Sequence, residues 1–560
     1  MTSRNFEVNK KNVQRNIFCF LMLLLFSITN LYAQQTNNLE VIWQKTSPDS
    51  VFVFGRCIAS GDVNGDGFSD IMIVGDSVIN PSSVDSVYRG KCWIYFGGVS
   101  FDTISDIQLL NSEIKTFWSL HSVDINGDGF NDVVLGACNN VSGNGEIQIF
   151  LGGNVMDSVC DYRIVGYQNG SVFGCAISSG DVNGDGYKDL IVGAYGAWPI
   201  PGGFYMGKVY IYYGGPNFDI IPDMILNGGH NNDQEGFGSD IGQSADVNND
   251  GYDDVIIGAW DFGPGRGRLY IYFGGNPMDT IADVTMIGEG PNQHLGWDAI
   301  SSLRNENNYD CATIGTCLWP YGFFAGYNPG KVYVLFGGNS MDSIPDVWMI
   351  GRTDSSGLAH SLSRSGYIDI INNDDVVAGA PIEYNHRGTS YLWLSGTLLD
   401  TIPDAWLRGL QYNDGVGWKV ASAGDVDGDG RGEIIVDNVA ASFFHRTVWI
   451  CKYTGVGIEE ARGRKQEARN FKIYPNPVKS VLRVSCPWSV KELKIFDVTG
   501  KVVKTLDKVG SRQNTEYREI KWDLRDENKK RVANGIYFVE LVTDQEKERI
   551  REIRKITIIK

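Results

Sequence analysis

The chain has no HExxH, GxSxG or CxxC motif, and its six histidines (121, 230, 294, 360, 386 and 445) show no metal-ligand spacing. These absences remove the usual sequence marks of a zinc hydrolase, a serine hydrolase and a dithiol oxidoreductase. Long apolar runs are nearly absent as well. The one at 17–26 (IFCFLMLLLF) is too short for a comfortable membrane span. It follows Lys10, Lys11 and Arg15 and precedes Leu-Tyr-Ala-Gln at 31–34, the layout of a signal peptide (1–33) cut after Ala33. No later run reaches membrane length, so the expected mature chain is exported and has no transmembrane span. Loss of Cys19 with the signal leaves nine of the ten cysteines, an odd number that cannot all pair with one another. Cys92 takes the place of an inward valine, and Cys138 and Cys317 hold the same place in two repeats. They read as small buried hydrophobes.

Basic charge is scarce in one part of the chain only. Residues 459–560 hold 25 Lys+Arg and 16 Asp+Glu, a net of +9, which leaves −27 for the rest of a chain whose total is −18. Two regions of opposite charge suggest two domains. The acidic one is unsuited to nucleic acid, and no nucleic-acid partner is expected.

What is abundant is glycine, 68 residues, and aspartate in a recurring frame. Residues 62–70 read DVNGDGFSD, with side-chain oxygens at positions 1, 3, 5 and 9 and glycine at position 6. Such loops wrap hard cations, because alternate residues turn their oxygens inward and glycine permits the sharp bend. The frame returns at 124–132, 181–189, 246–254 and 425–433. The candidate ligands are Asp62, Asn64, Asp66 and Asp70; Asp124, Asn126, Asp128 and Asp132; Asp181, Asn183, Asp185 and Asp189; Asp246, Asn248, Asp250 and Asp254; and Asp425, Asp427, Asp429 and Glu433. Acidic side chains meeting in one loop repel one another unless a cation joins them, and the competing reading is a solvated acidic turn. An EF-hand is excluded. It needs a bidentate Glu at position 12 and a following helix, whereas position 12 here is Ile73, Leu135, Val192, Ile257 or Val436, each in a β-type apolar run.

Alignment on the apolar strand after each loop adds two degenerate copies, at 303–311 and 367–375, and the seven starts then lie 57 to 65 residues apart. Each unit opens on Phe-Gly or a variant (54–55, 173–174, 237–238). A short strand leads into the loop, and an apolar strand ending in Gly-Ala leaves it. A variable loop and a strand such as KVYIYYGG (208–215) follow. The outer strand comes after a repeated Ile-Pro-Asp (221–223, 344–346, 402–404), which reads as turn chemistry. Four strands per unit at this period mark a β-propeller blade. The expected fold is all-β, a seven-bladed β-propeller over 34–455, with Leu39 through Gln44 (LEVIWQ) supplying the strand that the seventh unit lacks. The charged stretch 456–470 reads as a linker. In 471–560, period-two strands between turns make a small Ig-like β-sandwich.

The repeats resemble the FG-GAP repeats of integrin α-subunit propellers and their bacterial relatives, over about 40–455. The resemblance implies Ca2+ between the first and second strands of a blade, at about five sites. It adds the backbone carbonyl of position 7 to the ligands, that is Phe68, Phe130, Tyr187, Tyr252 and Arg431. Leu303 and Tyr367 replace the first Asp in the fifth and sixth copies, which therefore depart from the metal-binding pattern. The C-terminal part resembles the type A C-terminal sorting domain of the bacterial type IX secretion system, and also the Ig-like domain of flagellar hook-capping proteins. The likeness rests on YPNP (474–477), FDVTGKVV (496–503), GIYFVEL (535–541) and KITIIK (555–560). The first of these implies a protein secreted to, or displayed on, the outer surface of a Gram-negative-type bacterium, with the export machinery as partner of 471–560.

The loops between second and third strands carry Trp198, Tyr205, Trp260, Phe262, Trp319, Tyr321, Tyr327 and Tyr384. In a propeller they share the face opposite the metal loops. Exposed aromatics there suit an extracellular glycan or protein ligand; the competing reading is that they pack on each other and cover the blade ends. The expected function is a calcium-stabilised binding or adhesion module without enzymatic activity. The alternative is an extracellular polysaccharide-degrading enzyme, with two carboxylates meeting in the central channel.

Overall fold

A computed structural model describes residues 34–558 apart from 48–50, 79–87, 112–114, 139–142, 198–204, 230–234, 244, 298–299, 305–309, 317–328, 339–340, 354–355, 369–373, 396–400, 439–445, 456–471, 475–480, 488–489, 498–500, 507–516 and 546–547. The expected signal peptide and linker fall outside the described residues, as does Cys317. Seven antiparallel sheets follow one another along the chain, with blades at 51–110, 119–165, 177–227, 237–287, 300–350, 361–409 and 416–453. This is a seven-bladed β-propeller.

The sequence pattern within a blade follows from its packing. Second and third strands such as Asp132–Gly136 and Glu146–Phe150 are buried at every residue, since both faces press on neighbouring blades. They read as continuous apolar runs. Outer strands such as Tyr162–Val165 bury alternate residues only. The two short motifs of the repeat are the two sides of one contact between blades. Phe54, Phe173 and Phe237 are fully buried. The glycine after Phe173 sits at φ +83°, which a Cβ disfavours, and its carbonyl oxygen approaches Gly136 of the preceding blade so closely that a Cβ there would collide with it. Gly193 meets the carbonyl of Gly238 in the same way. The Gly-Ala of one blade thus seats the Phe-Gly of the next. The Ile-Pro-Asp acids do turn work: Asp223, Asp346 and Asp404 accept the N–H of Tyr213, Phe336 and Leu394, each at 2.8 Å.

The ring closes through the N-terminal segment. Strand Leu39–Thr46 pairs antiparallel with Thr447–Tyr453, from Leu39 opposite Tyr453 to Thr46 opposite Thr447, as the outer strand of blade seven. The four residues before it do something the repeat pattern did not foresee. Strand Gln34–Asn37 pairs with Ala405–Gly409 and becomes a fifth strand of blade six. Asn38 lies between the two strands at φ 58°, and its Nδ2 donates to the Asp404 carbonyl at 3.0 Å. One segment therefore spans the last two blades.

The C-terminal region forms two further antiparallel sheets, of three and four strands, around a core that includes Val484, Ile495, Trp522 and Val539. It is a small β-sandwich. Among the described residues no helix is long and apolar enough to cross a membrane. Cys92, Cys138, Cys160, Cys175 and Cys451 are free thiols, and Cys92, Cys138, Cys311 and Cys451 are buried.

Candidate metal loops and the opposite face

In the first loop the position-1 acid organises the turn. Asp62 Oδ1 accepts the N–H groups of Gly65 and Asp66 at 2.7 and 3.2 Å, and Oδ2 accepts that of Gly67 at 2.9 Å. Asn64 Oδ1 accepts the Asp66 N–H at 2.9 Å, and Asp66 Oδ1 accepts the Phe68 N–H at 2.9 Å. The same bonds recur from Asp124, Asp181, Asp246 and Asp425 to the position-5 and position-6 amides. Each loop is a tight coil of successive Asx turns, its side-chain oxygens accepting the loop's own backbone N–H groups. The donor sets are all oxygen, which suits a hard divalent cation. In the seventh loop Asp425, Asp427 and Glu433 each offer an oxygen within 4.8 Å of the others, and Glu433 Oε1 is buried without a hydrogen-bond partner.

Position 9 has a second role. Asp70 is fully buried and accepts the Val63 N–H at 2.8 Å and the Gly97 N–H at 2.9 Å, stapling the loop to the turn after the third strand. Asp132, Asp189 and Asp254 make the same pair of bonds. Burial pushes the carboxyls of Asp70, Asp132 and Asp189 up to about 7, and the position-1 and position-5 acids add to the rise against the two backbone bonds. Asp254 rises to about 8 for the same reasons. A bound cation reverses this balance, because it favours the ionised form of every acid facing it.

Blade six separates the two roles of position 9. Tyr367 stands where the first Asp would be, yet Asp375 still accepts the Ile368 N–H at 3.2 Å and the Ser395 N–H at 2.8 Å. In blade five, register places buried Cys311 where Asp70 stands in blade one. Replacement of Asp375 by Ala should leave two buried donors unpaired and cost about 3 kcal/mol. Denaturant midpoints should show this loss equally with and without a chelator. A loss that vanishes in EDTA would mean that blade six holds an ion after all.

Successive loops are also stitched together. Asn131 N–H donates to the Asp62 carbonyl and Gly153 N–H to that of Val63, both at 2.9 Å, joining blade two to blade one. Asp253 and Gly275 repeat this on Asp181 and Val182 at 2.9 Å. Ser69 and Gly98 repeat it on Asp425 and Val426 at 3.0 and 2.8 Å, across the closure of the ring. The position-7 ring of each loop lies over the position-4 glycine of the loop before it: Phe130 over Gly65, Tyr187 over Gly127, Tyr252 over Gly184 and Phe68 over Gly428. A Cβ at Gly65 would strike the Phe130 ring. The position-7 side chains, considered in the sequence only for their carbonyls, couple each candidate ion site to its neighbour.

Residues 116–150 and 173–212 match the FG-GAP repeat, and residues 472–558 match the secretion system C-terminal sorting domain. The chain carries FG-GAP repeats and ends in a sorting domain. Such a domain marks export to the outer surface of a bacterium. Among curated relatives, bovine phosphatidylinositol-glycan-specific phospholipase D is 30% identical over 227 residues, covering 37% of this chain and 26% of the relative. Integrin alpha-PS2 of Drosophila melanogaster is 33% identical over 190 residues, covering 33% and 13%. Integrin alpha-8 of Gallus gallus is 27% identical over 328 residues, covering 53% and 28%. The chain thus spans little more than a quarter of these relatives' lengths at most.

The antiparallel order of each FG-GAP blade puts the loops between second and third strands at the opposite end from the acid loops. Of the aromatics expected there, Trp198, Trp319, Tyr321 and Tyr327 lie outside the described residues. Tyr205 is exposed. Trp260 stands edge-on to Trp297, ring centroids 4.3 Å apart. The Arg268 guanidinium lies 3.4 Å from the Phe262 ring centroid, and that of Arg408 lies 3.7 Å from the Tyr384 centroid. One face of each of these two rings is taken up within the molecule. Sequence reasoning passed over three other aromatics on this side, Trp118, Tyr167 and Tyr412, which are 44%, 53% and 68% exposed, with the Arg56 guanidinium 4.4 Å from the Trp118 ring centroid. They sit in the connections between blades, which read as framework, so only their place beside the inner strands distinguishes them.

Proposed function

We propose that this protein is an exported propeller, stiffened by calcium in its acid loops, that binds a glycan or protein ligand through the face opposite those loops. The observation that carries the reading is the stitch. Each acid loop is bonded to the next blade, so an ion held there acts on the shape of the ring, and the other face is left to recognition. Oxygen donors from Asp62, Asn64, Asp66 and Asp70, and from their counterparts in the loops of blades two, three and four, would hold the ion, together with the position-7 carbonyl. A ligand that binds only the folded ring stabilises it by mass action.

The likeness to phosphatidylinositol-glycan-specific phospholipase D favours a second reading, a hydrolase acting on a glycan-bearing substrate. Several buried acids toward the recognition side already have structural partners: Glu146 meets Lys115 and Arg163 at 2.6 Å, Glu235 meets Arg268 and Tyr270, and Glu383 meets Tyr391. The purified mature protein should retain ligands on a glycan and matrix-protein array without releasing reducing ends, and should release no phosphatidic acid from a phosphatidylinositol-glycan. Replacing both Trp118 and Tyr412 by Ala should weaken binding by about tenfold, the loss of roughly 1.4 kcal/mol of aromatic contact. Unchanged binding would remove this face from the proposal, and product release would favour the hydrolase.

A further inference from the structure

The seventh loop departs from the other four intact loops in three ways at once. Position 3 is Asp427 instead of Asn, so the carboxylates of Asp425, Asp427, Asp429 and Glu433 share one loop. In the other loops the amide of Asn64, Asn126, Asn183 or Asn248 donates to the position-5 acid at 3.0, 2.9, 3.0 and 2.9 Å. An ionised Asp has no proton to donate and repels Asp429. The staple on position 9 is halved as well: Glu433 Oε2 keeps the Val426 N–H at 3.1 Å but makes no second bond to a turn after the third strand. The outer strand of blade seven comes from the N-terminal segment, so the third strand does not run into a Gly-Gly turn, and fully buried Glu433 Oε1 has no hydrogen-bond partner. Finally, Lys452 holds the place that strand register assigns to Phe96, Leu151, Tyr213, Phe273, Phe336 and Leu394 in the other blades. Its Nζ lies 2.6 Å from Asp427 Oδ2 and 2.6 Å from Asp429 Oδ2.

We propose that Lys452 is a built-in cation of the seventh loop, one that holds its acids together without a divalent ion and weakens ion binding there. The ammonium does the work of the missing Asn amide, bridging positions 3 and 5. A positive charge a few ångströms from a divalent ion opposes it, and two ligand carboxylates are already engaged. The location gives the substitution a purpose. Lys452 lies on the strand that pairs with Leu39–Thr46, and loop seven receives the bonds from Ser69 and Gly98 of blade one. The loop that closes the ring is therefore the one that stays formed when calcium is scarce.

The inference rests on the calcium reading of the other four loops, and the test keeps the two apart. Calcium binding is counted by calorimetry on the mature protein, and melting is followed in EDTA. Asp425→Asn should leave the wild-type ion count unchanged, and Lys452→Met should bind one ion more than wild type. In EDTA, Lys452→Met should melt below wild type while Lys452→Arg does not. An ion lost by Asp425→Asn, or an EDTA melt of Lys452→Met equal to that of wild type, would overturn the proposal. If Lys452→Met does not fold, the Asp425→Asn count decides. If wild type binds no calcium at all, the reading of the other loops fails, and the EDTA melt alone decides on Lys452.

Discussion

Deletion of residues 471–560 should leave the protein inside the cell envelope, with none recovered from the outer surface or the medium. The sorting domain is a β-sandwich with its own core around Trp522 and Ile495, and it has a net positive charge in an otherwise acidic chain. The ring is closed by its own N-terminal strands without help from this domain. The truncated chain should therefore fold and fail only in delivery. Fractionation of cells expressing the full and truncated forms, with circular dichroism of the truncated protein, measures both outcomes. Normal secretion of the truncated chain would overturn the role given to 471–560.

Chelation should lower the melting temperature of the mature protein by on the order of 10 °C. An ion present at a hundredfold excess over its Kd adds about 2.7 kcal/mol to the folded state, and several such ions act on one cooperative ring. The stitches make the effect larger than that of isolated surface loops. An acid loop that opens in blade one loses its own coil, the contact of Phe130 with Gly65 and the bonds from Asn131 and Gly153. Asp62→Asn should reproduce about one ion's share of the loss in calcium and have little further effect in EDTA. A melt that EDTA does not move would refute the calcium assignment for all loops together.

The part of this protein that sequence alone makes legible is what is local or periodic. Five acid frames and two degenerate copies at a spacing of 57 to 65 residues, each followed by an apolar run, specify the blades and their order without any long-range information. The position-1 acids can be chosen from sequence because their bonds reach only three to five residues ahead, as from Asp62 to Gly65, Asp66 and Gly67. Asp70 is only half legible. Its place in the acid frame is local, but its bond to Gly97 spans 27 residues and depends on the register of the third strand. Asp375 shows the consequence: it persists as a staple in a copy whose first acid has become Tyr367. For Tyr384 and Phe262 the sequence leaves exposure and packing both open, and Arg408 and Arg268, which lie over their rings, decide it only through the fold.

The amino-acid sequence by itself determined the repeat number, the all-β class, the chemistry of the acid loops and the presence of a sorting domain, because each is written in contiguous residues or in a regular period. Only the tertiary structure decided that Gln34–Asn37 joins blade six while Leu39–Thr46 completes blade seven, that position-7 rings lock one loop to the next, and that Lys452 enters the seventh loop. These depend on which residues the closed ring brings together, some of them hundreds of positions apart, and that is settled by strand register and ring closure.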